Sequence, residues 1–233
     1  MRTTKKLVIM GAGGFGREVH AWLLDLISKG ECKPTCDTVW EIAGFIDDVS
    51  DALDIFAGLP PILSKIDEYV PEPNTYVVCA IANPAVKKLL TAKLLDKGAE
   101  FFTLIHPTVV IGTNVVIGKG AVICPFTVLS TDLVVGDFVT INSACTIGHD
   151  TRTADYCTLS GHFDVTGGVT VLEGAFLGSH AVIVPKVVVG AYAVVGAVAH
   201  LIPSLNQQFY TLPTSRRCRW SYRPPSRTVP SSR

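Results

Sequence analysis

Aliphatic residues recur every six positions between residues 105 and 201. Steps of six from Ile105 to Leu201 give seventeen positions, of which sixteen are aliphatic, and the residues four places further on are mostly small. An α-helix with about 3.6 residues per turn cannot keep a strict period of six on one face, and an ordinary hairpin sheet has no reason to keep one. The pattern therefore predicts a coil of short, flat strands.

The predicted coil is a parallel β-helix. If three hexads close one triangular turn, eighteen residues make a coil, the large aliphatic side chains stack in columns inside it, and the small residues fit the corners. The seventeen hexads then give almost six coils. A valine-rich sandwich with irregular strand spacing is the alternative, but such a sandwich would not hold one register for about a hundred residues.

The first hundred residues show a different pattern. Residues 5–10 indicate a buried strand, followed by the turn Gly11–Gly16 and by a helix to about Ser28 with apolar residues at helical spacing. Backbone amides at such a turn can bind phosphate at the N-terminus of the helix. The segment therefore predicts a phosphate-binding turn, although the same glycines also suit a tight turn that binds nothing.

The glycine turn matches only part of a dinucleotide-binding motif. The acidic residue that binds a ribose is expected about 20 residues after the motif, whereas Asp47 and Asp48 come about thirty residues after Gly16. The remaining length has room for a strand at 77–82 and a helix at 84–95, but not for two mononucleotide-binding halves. We therefore expect this part of the chain to hold one nucleotide rather than NAD.

Three segments follow from these patterns. We expect a small α/β Rossmann-like nucleotide-binding domain over residues 1–103 and a β-helix over residues 104–206. Residues 207–233 form an atypical tail that is basic and rich in proline and serine. We expect this tail to be poorly ordered or to reach across a subunit interface.

Composition and charge narrow the class of partner. The chain is 48% hydrophobic and 17% charged, with twenty basic and twenty acidic residues. No net charge recruits nucleic acid or an anionic membrane, and no stretch approaches the roughly 18 apolar residues of a membrane helix. The seven cysteines are scattered, and Cys32 with Cys36 lacks the further ligands of a zinc site. We expect reduced thiols, a cytoplasmic location and a small-molecule substrate.

Five motifs in one order resemble a known family. They are Gly11–Glu18, Gly44–Asp48, Ala80–Asn83, Leu104–Pro107 and Ile147–Asp150. The chain resembles the hexapeptide-repeat sialic acid O-acetyltransferases and UDP-4-amino-sugar N-acetyltransferases of bacterial glycan synthesis. The likeness spans about residues 5–202. It implies a left-handed β-helix, a homotrimer, acetyl-CoA bound in the groove between neighbouring subunits, and a nucleotide-linked sugar held by the front domain.

The resemblance also assigns roles to single residues. The catalytic base of the family falls on His149, and the acidic residue that strengthens the base falls on Asp150. A sugar amine or hydroxyl loses a proton as it attacks the thioester, and a neutral imidazole near pH 7 is suited to accept that proton. A neighbouring carboxylate favours the protonated imidazole. The contacts to the sugar nucleotide fall on Gly13, Gly14, Phe15, Asp47, Asp48 and Ala82.

The predicted contacts to acetyl-CoA depart from the family pattern. Many relatives carry a second histidine nine residues after the catalytic one, at the position of Thr158, and an arginine is common at the position of Lys87. Ala82 replaces a more usual glycine. The resemblance places the cofactor contacts on Thr158, Gly167, Gly178 and Ala197, and it implies no metal.

The sequence also admits functions that differ from N-acetylation. His162 and His180 are eighteen residues apart and are expected to stack on successive coils. Trimeric β-helical carbonic anhydrases of the gamma type bind zinc through three histidines, but their H-x-x-x-x-H pair is absent here and they have no glycine-turn domain. A sialic acid O-acetyltransferase and a sugar-nucleotide-binding protein without catalytic activity are also compatible with these residues. We expect transfer to the amine of a nucleotide-linked 4-amino-4,6-dideoxy sugar.

Overall fold

The front of the chain forms an α/β domain. A computed structural model describes residues 3–30 and 38–202, so the predicted tail at 207–233 lies outside the described residues. The elements of the front domain, in chain order, are β1 (Thr3–Met10), α1 (Gly14–Ser28), β2 (Thr38–Ile46), β3 (Ile62–Ser64), a 3₁₀ turn (Ile66–Glu68), β4 (Thr75–Cys79), α2 (Pro84–Asp96) and β5 (Glu100–Phe101).

The five strands form one parallel sheet in the order β3-β2-β1-β4-β5. Alternate residues of β1 point to opposite faces. Leu7 and Ile9 pack on the side of α1, and Val8 and Met10 pack on the side of α2. The strand order reverses between β1 and β4, and ligands bind outside the carboxyl ends of the strands at such a switch point in open α/β sheets. The Rossmann-like arrangement predicted from the sequence is confirmed.

The fourth strand ends earlier than the sequence predicts. We expected a strand at 77–82, whereas β4 ends at Cys79. The amide of Ala80 still donates to the carbonyl of Met10 at 2.9 Å, and the chain then leaves the sheet. The side chain of Asn83 accepts a hydrogen bond from the amide of Val86 and caps α2. Residues Ala80–Asn83 are therefore a loop at the carboxyl edge of the sheet.

The second part of the chain is a left-handed parallel β-helix of two-residue strands, and its hexad pattern is confirmed. In chain order, β6 to β22 are Leu104–Ile105, Val110–Ile111, Val116–Ile117, Val122–Ile123, Val128–Leu129, Val134–Val135, Thr140–Ile141, Thr146–Ile147, Arg152–Thr153, Thr158–Leu159, Asp164–Val165, Thr170–Val171, Phe176–Leu177, Val182–Ile183, Val188–Val189, Val194–Val195 and His200–Leu201.

These strands stack into three parallel sheets, and each residue pairs with the residue eighteen positions away, as in Leu129 with Ile147 and Ile147 with Val165. The second residue of each strand points inward. From Ile123 to Val195 this column is buried throughout, together with the small residues of the corners. Burial of apolar surface between Ile123 and Val195 therefore holds these coils together.

Each corner of the β-helix contains a residue in the left-handed backbone region. From Asn114 to Val198, the residue at every sixth position has φ between 54° and 70°. Most of these residues are not glycine, although the left-handed region is unfavourable for a side chain with a Cβ. Asp150, with φ 60°, lies at one of these corners. The regular backbone at each corner therefore fixes the direction of the side chains that flank the corner residue.

The front domain covers part of one face of the β-helix. This face consists of β6, β9, β12, β15, β18 and β21. The outward residues Val122, Thr140 and Thr158 are buried under the front domain, whereas Val194 near the far end is 56% exposed. Phe101 of β5 packs edge-on against Phe138, with the two ring centroids 4.9 Å apart. The two domains therefore share a packed junction.

Neither α-helix in the described part of the chain is long and apolar enough to cross a lipid bilayer.

Candidate active site

An exposed histidine and aspartate form a pair at a corner of the β-helix. His149 and Asp150 directly follow the coil residues Ile147 and Gly148. The Nδ1 atom of His149 lies 2.7 Å from Oδ2 of Asp150, and both side chains are about two thirds exposed. An ionised carboxylate only accepts hydrogen bonds, so Nδ1 carries the hydrogen and Nε2 keeps a lone pair. The free nitrogen can therefore accept a proton from a substrate.

A glycine on the next coil supports the imidazole. Gly167 lies eighteen residues after His149, and the amide of Gly168 donates to the carbonyl of His149 at 2.7 Å. A Cβ atom at Gly167 would lie 2.4 to 3.0 Å from three atoms of the His149 ring. These distances are too short for a real contact, so the ring lies directly on the backbone of Gly167. The resemblance had assigned Gly167 to the cofactor, and the structure shows it in contact with the predicted base.

A second carboxylate lies one coil before the pair. Asp132 accepts hydrogen bonds from the side chains of Asn114 at 2.9 Å and Thr131 at 3.0 Å. These bonds lower the pKa of Asp132 below its usual value, and nearby His149 adds to the effect when it is protonated. Asp132 was not among the site residues predicted from the sequence. Its position eighteen residues before Asp150, in the same corner column, was the available signal.

The glycine turn of the front domain is tightly packed at its ends and open in the middle. Gly11 has φ 105°, and a Cβ atom at Gly16 would lie 1.9 Å from the carbonyl oxygen of Gly11, so both positions require glycine. Gly13 precedes α1 without a side-chain cap. A Cβ atom at Gly13 would meet nothing within 4 Å, and at Gly14 it would meet only the end of the Arg17 side chain. The space beside the start of α1 is therefore open at Gly13 and Gly14.

The two predicted acidic residues accept backbone hydrogen bonds, and Asp47 contacts this turn. Asp47 accepts a hydrogen bond from the amide of Ala12 at 2.6 Å through Oδ2 and one from the amide of Val49 at 2.8 Å through Oδ1. Asp48 accepts a hydrogen bond from the amide of Ile66 at 3.1 Å. Each carboxylate oxygen can accept more than one hydrogen bond. The structure thus gives both residues a role in shaping the carboxyl edge of the sheet.

The loop at Ala82 contacts the β-helix directly. Thr158 is 3% exposed, and its hydroxyl donates to the carbonyl of Ala82 at 2.7 Å. The same hydroxyl lies 3.0 Å from Nζ of Lys87. A residue predicted to bind the cofactor is therefore joined to a residue predicted to lie near the sugar. Sequence reasoning missed Lys87 as a partner because its contacts exist only after the two domains pack together.

The remaining predicted residues lie apart from these contacts. Phe15, in the first turn of α1, packs edge-on against Trp22 with ring centroids 6.0 Å apart. A Cβ atom at Gly178 would lie 2.5 Å from the amide nitrogen of Ala197, so these two residues meet on successive coils. Ala197 is exposed, and Gly178 is buried.

The stacked histidines form a separate feature at another corner. The rings of His162 and His180 are parallel within 3°, and their centroids are 4.7 Å apart, as their spacing in the sequence predicted. Both side chains are exposed. Within residues 3–30 and 38–202, no group of three or more histidine, cysteine, aspartate or glutamate side chains is arranged to hold a metal ion.

Comparison with known proteins supports the predicted resemblance. The PglD N-terminal domain family matches residues 6–94. PerB from Caulobacter crescentus, solved in complex with CoA and GDP-perosamine, shares 27% sequence identity with this chain and has a TM-score of 0.70. That match covers 84% of this chain and 88% of PerB. The family model thus covers the front domain, and the solved structure is similar to most of the chain. The resemblance predicted from the five motifs is therefore confirmed.

Two curated proteins match a shorter stretch of the chain. GDP-perosamine N-acetyltransferase from Escherichia coli O157:H7 is 30% identical over 118 residues, which are 51% of this chain and 50% of that enzyme. UDP-N-acetylbacillosamine N-acetyltransferase from Bacillus subtilis (strain 168) is 29% identical over 123 residues, which are 51% of each protein. The chain thus spans about half the length of the curated relatives it matches.

Proposed function

We propose that this protein transfers the acetyl group of acetyl-CoA to the amine of a nucleotide-linked 4-amino-4,6-dideoxy sugar. The observation that carries the proposal is the pair of His149 and Asp150, joined at 2.7 Å and exposed at a corner of the β-helix. An imidazole oriented by a carboxylate, with its second nitrogen free, is the arrangement that a general base needs.

The front domain supplies the binding site for the nucleotide in this proposal. The first amides of α1 lack partners within the helix, and the helix dipole favours an anion at this end. Gly13 and Gly14 leave the space beside these amides open. A phosphate of the nucleotide would bind there, and the sugar would extend past Ala82 towards the β-helix. The relatives named above act on GDP- and UDP-linked sugars.

The proposed chemistry needs no covalent intermediate with the protein. The amine nitrogen of the sugar attacks the thioester carbonyl carbon, and Nε2 of His149 takes the proton that the nitrogen loses. The tetrahedral intermediate collapses as the bond between carbon and sulfur breaks. The proton from His149 reaches the departing sulfur, so the products are the N-acetylated sugar and CoA with a free thiol. Asp150 stabilises the imidazolium that forms between these steps.

A homotrimer completes the proposal. Two faces of the β-helix carry exposed valines, including Val110, Val116 and Val128, which a second copy of the chain can cover. Acetyl-CoA would lie in the groove between copies, near Gly178 and Ala197. We place the reaction in the cytoplasm, where acetyl-CoA and sugar nucleotides are available. Sedimentation or light scattering of the purified protein would test the trimer.

Thiol release tests the reaction directly. The purified chain would be incubated with acetyl-CoA and with UDP-, dTDP- and GDP-linked 4-amino sugars, CMP-sialic acid or free sialic acid. We expect release of CoA with one of the amino sugars. Release only with a sialic acid would replace the proposal by O-acetylation.

Two histidine variants test the base. His149→Asn removes the proton-accepting nitrogen and is expected to lower kcat by about 10² to 10⁴ fold. His162→Asn changes another exposed corner histidine of the same β-helix and is expected to leave kcat within about twofold of the wild-type value, since general base catalysis needs a single positioned group. Residual activity of His149→Asn within a few fold of the wild type would exclude His149 as the base.

A further inference from the structure

A lysine ammonium is enclosed where the front domain meets the β-helix. Lys87 lies in the first turn of α2, and its side chain is fully buried. Its Nζ atom lies within 3.2 Å of four oxygens, which are the carbonyls of Phe138 and Cys157 and the hydroxyls of Thr140 and Thr158. These four contacts are neutral dipoles from two successive coils. The ammonium therefore joins α2 to both coils without a carboxylate among these partners.

The two threonines around Lys87 are close equivalents. Thr140 and Thr158 pair in parallel on neighbouring coils, and they are 2% and 3% exposed. Each hydroxyl accepts a hydrogen bond from Lys87, at 2.9 and 3.0 Å respectively. Thr158 also donates its hydroxyl hydrogen to the carbonyl of Ala82 at 2.7 Å. The bond to Ala82 thus distinguishes Thr158 from its neighbour.

The loop that contains Ala82 is fixed at both ends by other contacts. At its start, the amide of Ala80 donates to Met10, and the carbonyl of Ala80 packs against Gly11 of the glycine turn. At its end, Asn83 caps α2. The hydroxyl of Thr158 holds the middle of the loop. Any ligand on the glycine turn therefore lies beside a backbone whose position Thr158 sets.

We propose that Thr158, oriented by Lys87, is a positioning residue that fixes the Ala82 carbonyl and with it the acceptor sugar relative to His149, rather than a contact to acetyl-CoA. The inference rests on the proposed function. The Thr158 hydroxyl donates its hydrogen to the carbonyl of Ala82 and accepts a hydrogen bond from Lys87, and the side chain of Thr158 is buried. Nine residues, half a coil, separate it from His149, so the hydrogen bond ties the sugar loop to the coil that carries the base.

Steady-state kinetics of three variants test this role. Thr158→Val keeps the shape of the side chain and removes the hydroxyl, and Thr158→Ser keeps the hydroxyl. We expect Thr158→Val to raise the KM for the nucleotide sugar about 5- to 10-fold, the effect of one lost hydrogen bond, and to leave the KM for acetyl-CoA unchanged. Thr158→Ser is expected to behave as the wild type. Thr140→Val removes the matched hydroxyl that does not reach Ala82, and we expect it to leave both KM values unchanged.

Three results would overturn the inference. A rise in the KM for acetyl-CoA alone would make Thr158 a cofactor contact. Equal effects of Thr158→Val and Thr158→Ser would show that packing of the side chain matters, and not its hydroxyl. Equal effects of Thr158→Val and Thr140→Val would show that the two hydroxyls act only by holding Lys87, and that the bond to Ala82 contributes nothing.

Amide hydrogen exchange separates this inference from the proposed function. If the wild-type protein acetylates none of the sugars, the proposed function fails, and exchange of the amides in residues 80–83 decides the role of Thr158. Faster exchange in Thr158→Val than in the wild type, Thr158→Ser and Thr140→Val supports positioning of the loop. Equal exchange in all four proteins would contradict it.

Discussion

Two sites on the same β-helix differ in how they accommodate charge. At a corner of the coil, His149 and Asp150 are each about two thirds exposed, and they contact one another at 2.7 Å. On the face covered by the front domain, Lys87 of α2 is fully buried and contacts only dipoles among its four hydrogen-bond partners. The first arrangement leaves a nitrogen free for substrate, and the second uses the ammonium to join two domains. The repeat provides similar coils in both places, so the neighbouring elements decide whether a site serves chemistry or assembly.

The largest expected effect is the change of stability with pH that the buried charge of Lys87 causes. Desolvation lowers its pKa from 10.5 to about 8. Below pH 8 both the folded and the unfolded chain carry this proton, and between about pH 8 and pH 10.5 only the unfolded chain carries it. The free energy of unfolding contributed by Lys87 therefore rises with pH across this window, by about 3 kcal/mol. Denaturant unfolding of the wild type and Lys87→Met at each pH measures the difference. A difference that stays flat from pH 7 to pH 11 would contradict the prediction.

Substitution of Gly167 is the sharpest test of the exposed corner. Gly167→Ala places a Cβ atom against the His149 ring, so the imidazole must move. A misplacement of about 1 Å lowers the rate by about 10² fold, and we expect kcat to fall by that amount with little change in the melting temperature. Gly161→Ala is the control, since its Cβ atom would lie 3.4 Å from the nearest neighbouring atom. Similar losses of activity in both variants would mean that the coil and not the ring is disturbed.

The carboxylate beside His149 is expected to have a smaller effect. Asp150→Asn keeps the shape of the side chain and removes its charge, so the imidazolium formed during the reaction loses its partner at 2.7 Å. We expect kcat to fall about tenfold, the effect of a hydrogen bond to a charged group. Asp132→Asn removes the charge one coil away and should cost less. If both variants lose the same activity, the direct hydrogen bond contributes nothing beyond the charge.

The neighbour of Lys87 predicts the smallest effect. Lys88 is exposed and forms an ion pair with Glu173 that includes the hydroxyl of Tyr192. These contacts raise the pKa of Lys88, so its charge is unchanged over the window in which Lys87 titrates. We expect Lys88→Met to change stability less than Lys87→Met and to show no dependence on pH between 8 and 10. A slope in this window equal to that of Lys87→Met would remove the contrast between the buried and the exposed lysine.

The β-helix could be predicted from the sequence because each hexad repeats the same physical requirement. Aliphatic residues from Ile105 to Leu201 must face inward in every coil, so the period survives substitutions such as Thr153. The motif Ile147–Asp150 then located the exposed pair within that frame. The front domain gave a weaker signal, and β4 ended before the predicted boundary because Ala80 turns out of the sheet.

The contacts at the junction could not be predicted in the same way. Lys87 occupies a helix position where a lysine usually points to solvent. Its burial arises only when α2 packs on the coil face that contains Thr140 and Thr158. The departure at Thr158 was visible in the sequence, but its partner Ala82 lies 76 positions away. Long-range packing of this kind leaves no periodic trace.

The eighteen-residue register fixes distances along the axis of the β-helix. Each coil advances by about 4.8 Å, the spacing between neighbouring strands. Leu129, Ile147 and Val165 lie on successive coils in one column. Insertion of one complete coil between His149 and Thr158 would keep every column in register and preserve the core. It would also move the two residues apart by the height of one coil. The distance between His149 and the acceptor loop is thus set by the number of residues between His149 and Thr158. That number can change only by whole coils without loss of the fold.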